Sequence, residues 1–161
     1  SSTDYFAMVD RKSGSLAECS AKLGAVINGM DADITSAFGG FGKNLGMAWQ
    51  IKQDMDDLWG KSGDGLTPNN LLNKKKSLPI IYALESGSTS IKREIGSIYM
   101  KRVLEPSDIS RVLELLNEVD AKTYAVGEVA TRVKLAKEQV MATGISGENL
   151  DDFIDNVIGL E

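Results

Sequence analysis

Histidine is absent from the 161-residue sequence. Its absence removes the Ser-His-Asp triad, the Cys-His pair and every histidine-built zinc site. A single cysteine, Cys19, leaves no internal disulfide to form and fits a reducing compartment such as the cytoplasm. Prolines number three, β-branched runs are few, and no strand-like alternation persists. No apolar run approaches the length of a membrane span, and no signal-peptide pattern opens the chain. Basic residues are outnumbered: the formal net charge of -5 argues against a general nucleic-acid partner, which would need a basic surface. The chemistry left is that of carboxylates, lysines and hard cations. The chain opens on SSTDYF with no initiator methionine, so it reads as processed, as a fragment, or as one piece of something longer.

What is present is helical. The length suits one domain with a single core, and 42% hydrophobic with 25% charged residues is the composition of a globular protein. The patterning predicts a short helix over 3–12. A second is predicted from Ser15 to about Gly29, opened by a capping box in which Glu18 reaches back to Ser15. The longest helix is predicted from Asp33 to Trp59. The run GKSGDGLTPNN has loop composition. Helices are then expected from Leu78 to Glu85 and over 89–103, 107–118, 121–142 and 147–158, with Ser107 and Asp108 as a start and Gly144 as a stop. The sum is an all-α bundle without internal repeats. On composition alone a structural or interaction domain accounts for it.

Two stretches carry more. Placed on a helix at about 100° per residue, GMAWQIKQDMDDLWG puts Ala48, Ile51, Met55, Leu58 and Trp59 on a core stripe. Gln50, Gln53, Asp54 and Asp57 share roughly a 100° arc elsewhere, with Asp56 at its edge. An acidic helix face is usually just solvated. Carboxylates one turn apart also suit Mg²⁺, which takes oxygen ligands and shares its shell with substrate phosphate. The second stretch is NKKKSLP, with Lys74, Lys75 and Lys76. Lys12 adds a lysine beside a hydroxyl in RKSG. Lysines of this kind suit diphosphate oxygens as point charges, although a solvated basic cluster is the bland alternative.

Taken in order, RKSGSLAECSAKLGAVING, FGKNLGMAWQIKQDMDDLWG and GKSGDGL…KKKSLPIIYALE resemble the trans-isoprenyl diphosphate synthases, or polyprenyl synthetases. The tail VLEPSDISRVLELLNEVDAKTYAVGEVATRVKLAKEQV resembles the end of that family. The resemblance implies an all-α bundle of the isoprenoid (terpenoid) synthase type. It implies joining of isopentenyl diphosphate to an allylic diphosphate, with Mg²⁺ assisting ionisation. Lys12 then matches the motif lysine that contacts the allylic diphosphate, and Ser13 keeps the hydroxyl of the usual threonine. Trp49 stands for the usual phenylalanine, beside the matching Gln50. Asp54 and Asp57 match the second and third aspartates of DDxxD. Lys75 matches the lysine of the Gly-Lys-x-Thr-Leu-Pro segment, with Ser77 in the threonine place. Lys74 and Lys76 stay with the solvated reading.

The departures are as informative. Gln53 occupies the first aspartate position, and an amide oxygen brings no charge to a metal. Family members are about twice as long, and their first aspartate-rich motif lies upstream of anything present here. The resemblance therefore covers a C-terminal half over 1–161, with 60–76 as a mobile loop over the diphosphate site. It implies a missing N-terminal half that completes the site, and a homo- or hetero-oligomer. A second segment is expected to cover the face of Gln50, Asp54 and Asp57. Two alternatives stand beside the enzyme: a non-catalytic regulatory or structural subunit of a partner synthase, and a class I terpene cyclase.

Overall fold

The computed structural model describes residues 1–60, 69–145, 147 and 149–159, and of Asn69 only the backbone. Among the described residues there are helices and no strands. They are α1 (Ser2–Val9), α2 (Ser15–Ile27), α3 (Ala32–Trp59), α4 (Asn69–Leu72), α5 (Leu78–Ser86), α6 (Thr89–Met100), α7 (Pro106–Glu118), α8 (Ala121–Met141) and α9 (Leu150–Ile158).

The predicted break before Ser15 does not occur. Asp10–Gly14 forms one π-helical turn, and its flanking residues Val9 and Ser15 keep right-handed helical dihedrals. α1, the π turn and α2 therefore run on as one helix. Inside a continuous helix the N–H groups that a capping box would serve are already bonded. Ser15 Oγ accordingly donates to the Arg11 carbonyl at 2.6 Å, and Glu18 pairs with Lys22 at 2.5 Å. The true start signal lies further on. Asp31 Oδ1 accepts from the Ile34 N–H at 2.8 Å and caps α3, after Gly29 has turned the chain at φ +71°. α7 begins one residue earlier than predicted: Pro106 follows the cap residue Glu105, and Glu105 and Asp108 exchange side-chain-to-backbone bonds. Gly144, at φ +72°, follows α8 as predicted, whereas α9 starts at Leu150 rather than 147. Of the predicted loop over 60–76, residues 61–68 lie outside the described residues. Residues 69–72 form α4.

The residues fall into two compact units. One holds Ser1–Tyr5 and Gln53–Gly127, the other Phe6–Lys52 and Glu128–Glu161. In the first, α5, α6 and α7 enclose a core of Ile80, Ala83, Ile95, Ile98, Val112 and Leu116. The Tyr82 and Tyr124 rings stack 4.1 Å apart, tying α8 to α5. Asp108, at the head of α7, accepts from Lys101 Nζ at 2.6 Å and from the Glu105 N–H at 3.1 Å.

In the second unit α2 and α3 meet along small residues. A Cβ built on Gly46 would stand 2.5 Å from the Ser13 carbonyl oxygen and 2.7 Å from Ala17 Cβ, and Gly42 similarly abuts the Ala17 carbonyl. Phe41, Leu45, Ala48, Ile51 and Ile154 are buried in this unit. α9 is held by Phe153, 6.2 Å from the Phe41 ring, and by a 2.6 Å pair between Asp151 and Lys137. α2 also leaves Leu16, Leu23, Val26 and Ile27 exposed, an apolar row that a monomer surface rarely carries.

Two predictions follow from these contacts. Gly46→Ala should lose about 1–3 kcal/mol, because backbone and not a flexible tip stands in the way. Gly96→Ala in α6, where a Cβ meets nothing within 4 Å, should gain up to about 1 kcal/mol. Urea midpoints of the two variants check both signs. The second concerns Asp108, whose carboxyl is held below the usual carboxylate range by the Lys101 ammonium first and the Glu105 N–H next. A lowered folded pKa adds stability above the unfolded value of about 3.9, and that gain disappears as pH falls through the folded pKa. Asp108→Asn should therefore be less stable than the parent at pH 7, with the two melting temperatures converging in acid.

Candidate functional site

The π turn brings Ser13 to Gln50. Such a turn adds one residue to the helical circuit and often marks a working position. Here Gly14, the last residue of the turn, is buried against Met47, where a Cβ would stand 3.2 Å from Met47 Cγ. Ser13, one residue earlier, is thereby turned towards α3, and its Oγ donates to Gln50 Oε1 at 2.9 Å. Lys12 is exposed and makes no ion pair among the described residues. Trp49 is 41% exposed. It lines, with Ser13, an apolar groove of about 750 Å³ between α2, α3 and α9, floored by Ala17, Phe41, Leu45 and Phe153. The bulk at position 49 thus borders a cavity of this unit.

The other predicted residues lie in the first unit. Asp54 is 1% exposed, the most deeply buried charged side chain among the described residues. Its Oδ1 accepts from Lys75 Nζ at 2.7 Å and its Oδ2 from the Tyr5 hydroxyl at 2.9 Å. Burial, and then the Asp54 charge, push the Tyr5 phenol far above its ordinary pKa, so it remains a protonated donor. Lys75 is anchored through its main chain, whose carbonyl accepts from the Tyr99 hydroxyl at 3.4 Å. Asp57 Oδ2 accepts the Asn70 N–H at 2.9 Å and so tethers α4. Gln53 is exposed and Asp56 half-buried. Ser77 is 1% exposed, and its hydroxyl has no hydrogen-bond partner among the described residues. Lys74 is not simply solvated: it takes φ +53°, and its ammonium donates to the Lys101 carbonyl. Lys76 is exposed.

The face predicted for Gln53, Asp54 and Asp57 is therefore split by environment. Asp54 is covered by this chain's own Tyr5 and Lys75 and needs no second segment to bury it. The exposed apolar row lies on α2 instead. Among the described residues no group of three acidic, cysteine or histidine side chains could by itself hold a metal. The donors at 53, 54 and 57 still fit Mg²⁺ in kind, since all are oxygens and such ions commonly take one or two carboxylates with substrate phosphate. Tyr5 is the residue that sequence reasoning missed. A lone tyrosine on the first helix carries no motif, and only the fold brings it to Asp54.

A sequence profile described as polyprenyl synthetase matches residues 1–116. The chain belongs to the polyprenyl synthetase family. Among its relatives is a geranylfarnesyl diphosphate synthase of Aeropyrum pernix, 32% identical over 140 residues, or 84% of this chain and 42% of that protein. Another is a geranylgeranyl diphosphate synthase of Mycobacterium tuberculosis, 32% identical over 86% of this chain and 38% of that protein. The solved geranylgeranyl pyrophosphate synthetase of Pyrococcus horikoshii superposes with a TM-score of 0.84 at 26% identity, covering 99% of this chain and 49% of that one. This polyprenyl synthetase segment thus spans about half the length of the proteins it matches or less. Its fold is the all-α isoprenoid synthase type. No helix among the described residues is long and apolar enough to cross a membrane.

Within this family member the Tyr5 bond is the test of the buried cluster. Tyr5→Phe removes one donor from a buried carboxylate and should cost about 2 kcal/mol, read as a drop in the chemical-denaturation midpoint.

Proposed function

We propose that this chain supplies the second aspartate-rich half of a prenyltransferase that joins isopentenyl diphosphate to an allylic diphosphate. The observation that carries the reading is the bond from Ser13, on the π turn and at the rim of an apolar groove, to Gln50 of α3, with Lys12 exposed beside Ser13. In the second unit Lys12 is a point charge for diphosphate oxygens, and Ser13 turns its one hydroxyl proton from Gln50 Oε1 to such an oxygen; in the first unit Lys75 is a further point charge of that kind. The groove beside Trp49 takes the apolar tail and keeps water from the cationic carbon. Asp54, Asp57 and Gln53 would hold Mg²⁺, which supplies charge neutralisation of the leaving diphosphate. The relatives named above as diphosphate synthases, and the profile match, support this class of reaction.

The same reading requires a partner. The exposed row Leu16, Leu23, Val26 and Ile27 is the surface on which an N-terminal half, from the same or another polypeptide, would close the site. A homo- or hetero-oligomer in the cytoplasm follows from that reading.

A second reading is favoured by one observation. Gln53 stands where a third carboxylate would complete the acidic set, which suits a non-catalytic subunit of a partner synthase. Gln53→Asp separates the two: it raises Mg²⁺-dependent turnover of an enzyme and leaves a scaffold inactive. A ring-closing terpene cyclase would be recognised by cyclic hydrocarbon in place of elongated diphosphate.

The direct test mixes the chain with a polypeptide carrying a DDxxD segment, Mg²⁺ and both diphosphates. Elongated prenyl diphosphate should form, and Lys12→Ala should lower turnover about 100-fold or more, the scale set by loss of one charge-stabilising group. Unchanged turnover in Lys12→Ala would remove the assignment.

A further inference from the structure

We propose that the corner between α6 and α7, with the lysines set beside it, docks the first unit onto an anionic lipid surface. The proposal uses none of the residues assigned to the reaction and does not rest on that assignment. The corner reads Met100, Lys101, Arg102, Val103, from the last residue of α6 to the stretch before the α7 cap. Met100 is 87% exposed and Val103 72% exposed, while Leu104 turns back into the core of α5, α6 and α7. Bends are ordinarily made by glycine, proline, asparagine, aspartate or serine. Here two large apolar side chains enclose two cations. A single exposed apolar residue is ordinary. Two within four residues, with a basic pair between them, form a patch that no contact inside this unit explains.

The corner is also held in place. Lys101 Nζ pairs with Asp108 at 2.6 Å, and the Lys74 ammonium donates to the Lys101 carbonyl. The Tyr99 hydroxyl donates to the Lys75 carbonyl at 3.4 Å. These bonds set the 74–76 segment against the corner. Lys76 and Arg102 are exposed, and neither makes an ion pair among the described residues. Lys75 takes no part, since its ammonium is on Asp54. Of the carboxylates at the corner itself, Asp108 is matched by Lys101 and Glu105 is exposed. The net charge of -5 opposes an acidic surface at long range, but within a Debye length of about 8 Å the local cations decide. An acidic protein would attract the same cations. Protein interfaces are depleted in lysine, however, whereas apolar tips flanked by ammonium and guanidinium groups suit a headgroup boundary. There the tips enter the acyl chains and the cations stay with the phosphates.

The experiment is co-sedimentation of the 161-residue chain with vesicles of phosphatidylserine and phosphatidylcholine in equal parts, beside vesicles of phosphatidylcholine alone. The chain should partition onto the acidic vesicles only, and added salt should release it. Arg102→Gln and Lys76→Gln should each lower partitioning about fivefold and flatten the salt dependence, the scale of one basic residue at a charged membrane. Met100→Ser combined with Val103→Ser should lower it about tenfold and leave the salt dependence as it was. All four side chains are exposed, so the melting temperature should stay that of the parent and a folding defect is told apart. Equal partitioning onto neutral vesicles, or none onto either, would overturn the proposal. Partitioning that all these variants keep in full would overturn it too, and would assign the binding to the apolar row on α2. Salt-sensitive retention on polyglutamate in place of vesicles would assign the corner to an acidic protein, which also contradicts it.

Discussion

The carboxylate of Asp54 is the constraint around which the first unit is arranged. A charge that deep in a protein cannot stand alone. Three stretches far apart in the chain answer it: the first helix through Tyr5, the end of α3 through Asp54 itself, and the segment before α5 through Lys75. Nearby, Asp57 ties the short α4 to the end of α3 through Asn70. The first helix, the end of α3, α4 and the segment before α5 are thus joined by polar bonds, beside the core of α5, α6 and α7. A cluster of this kind fixes geometry more than it adds stability.

The second unit solves a different problem. Its glycines let α2 and α3 come together at backbone contact, and the π turn spends one extra residue to aim Ser13 at Gln50. What this unit does not do is cover itself. The apolar row on α2 and the groove beside Trp49 are large for a free surface. The relatives the chain matches are about twice its length or more.

Much of the helical frame was legible because its signals are local. The long α3 announces itself by a stripe of Ala48, Ile51, Met55 and Leu58, all buried, and Gly144 and Pro106 fall at helix ends for backbone reasons that need no tertiary knowledge. The break placed before Ser15 was not real. A serine followed three residues later by glutamate reads as a cap, yet the same pair sits as well on an exposed helix face, where Glu18 prefers Lys22. The candidate site residues were chosen through ordered motifs, and the fold brings Ser13 to Gln50 and Lys75 to Asp54. The burial of Asp54 was not legible, because an ideal helix gives it the same face as Gln53. Its fate is decided by Tyr5, whose role depends on a contact 49 residues away in sequence.

The measurement that bears most directly on the central claim is denaturing mass spectrometry of material purified by its Mg²⁺-dependent prenyl-elongating activity. The account predicts that this 17.4 kDa sequence is found together with a polypeptide, separate or continuous with it, that carries a DDxxD segment. Elongation by the 17.4 kDa species alone would contradict the claim that the chain holds half of a site.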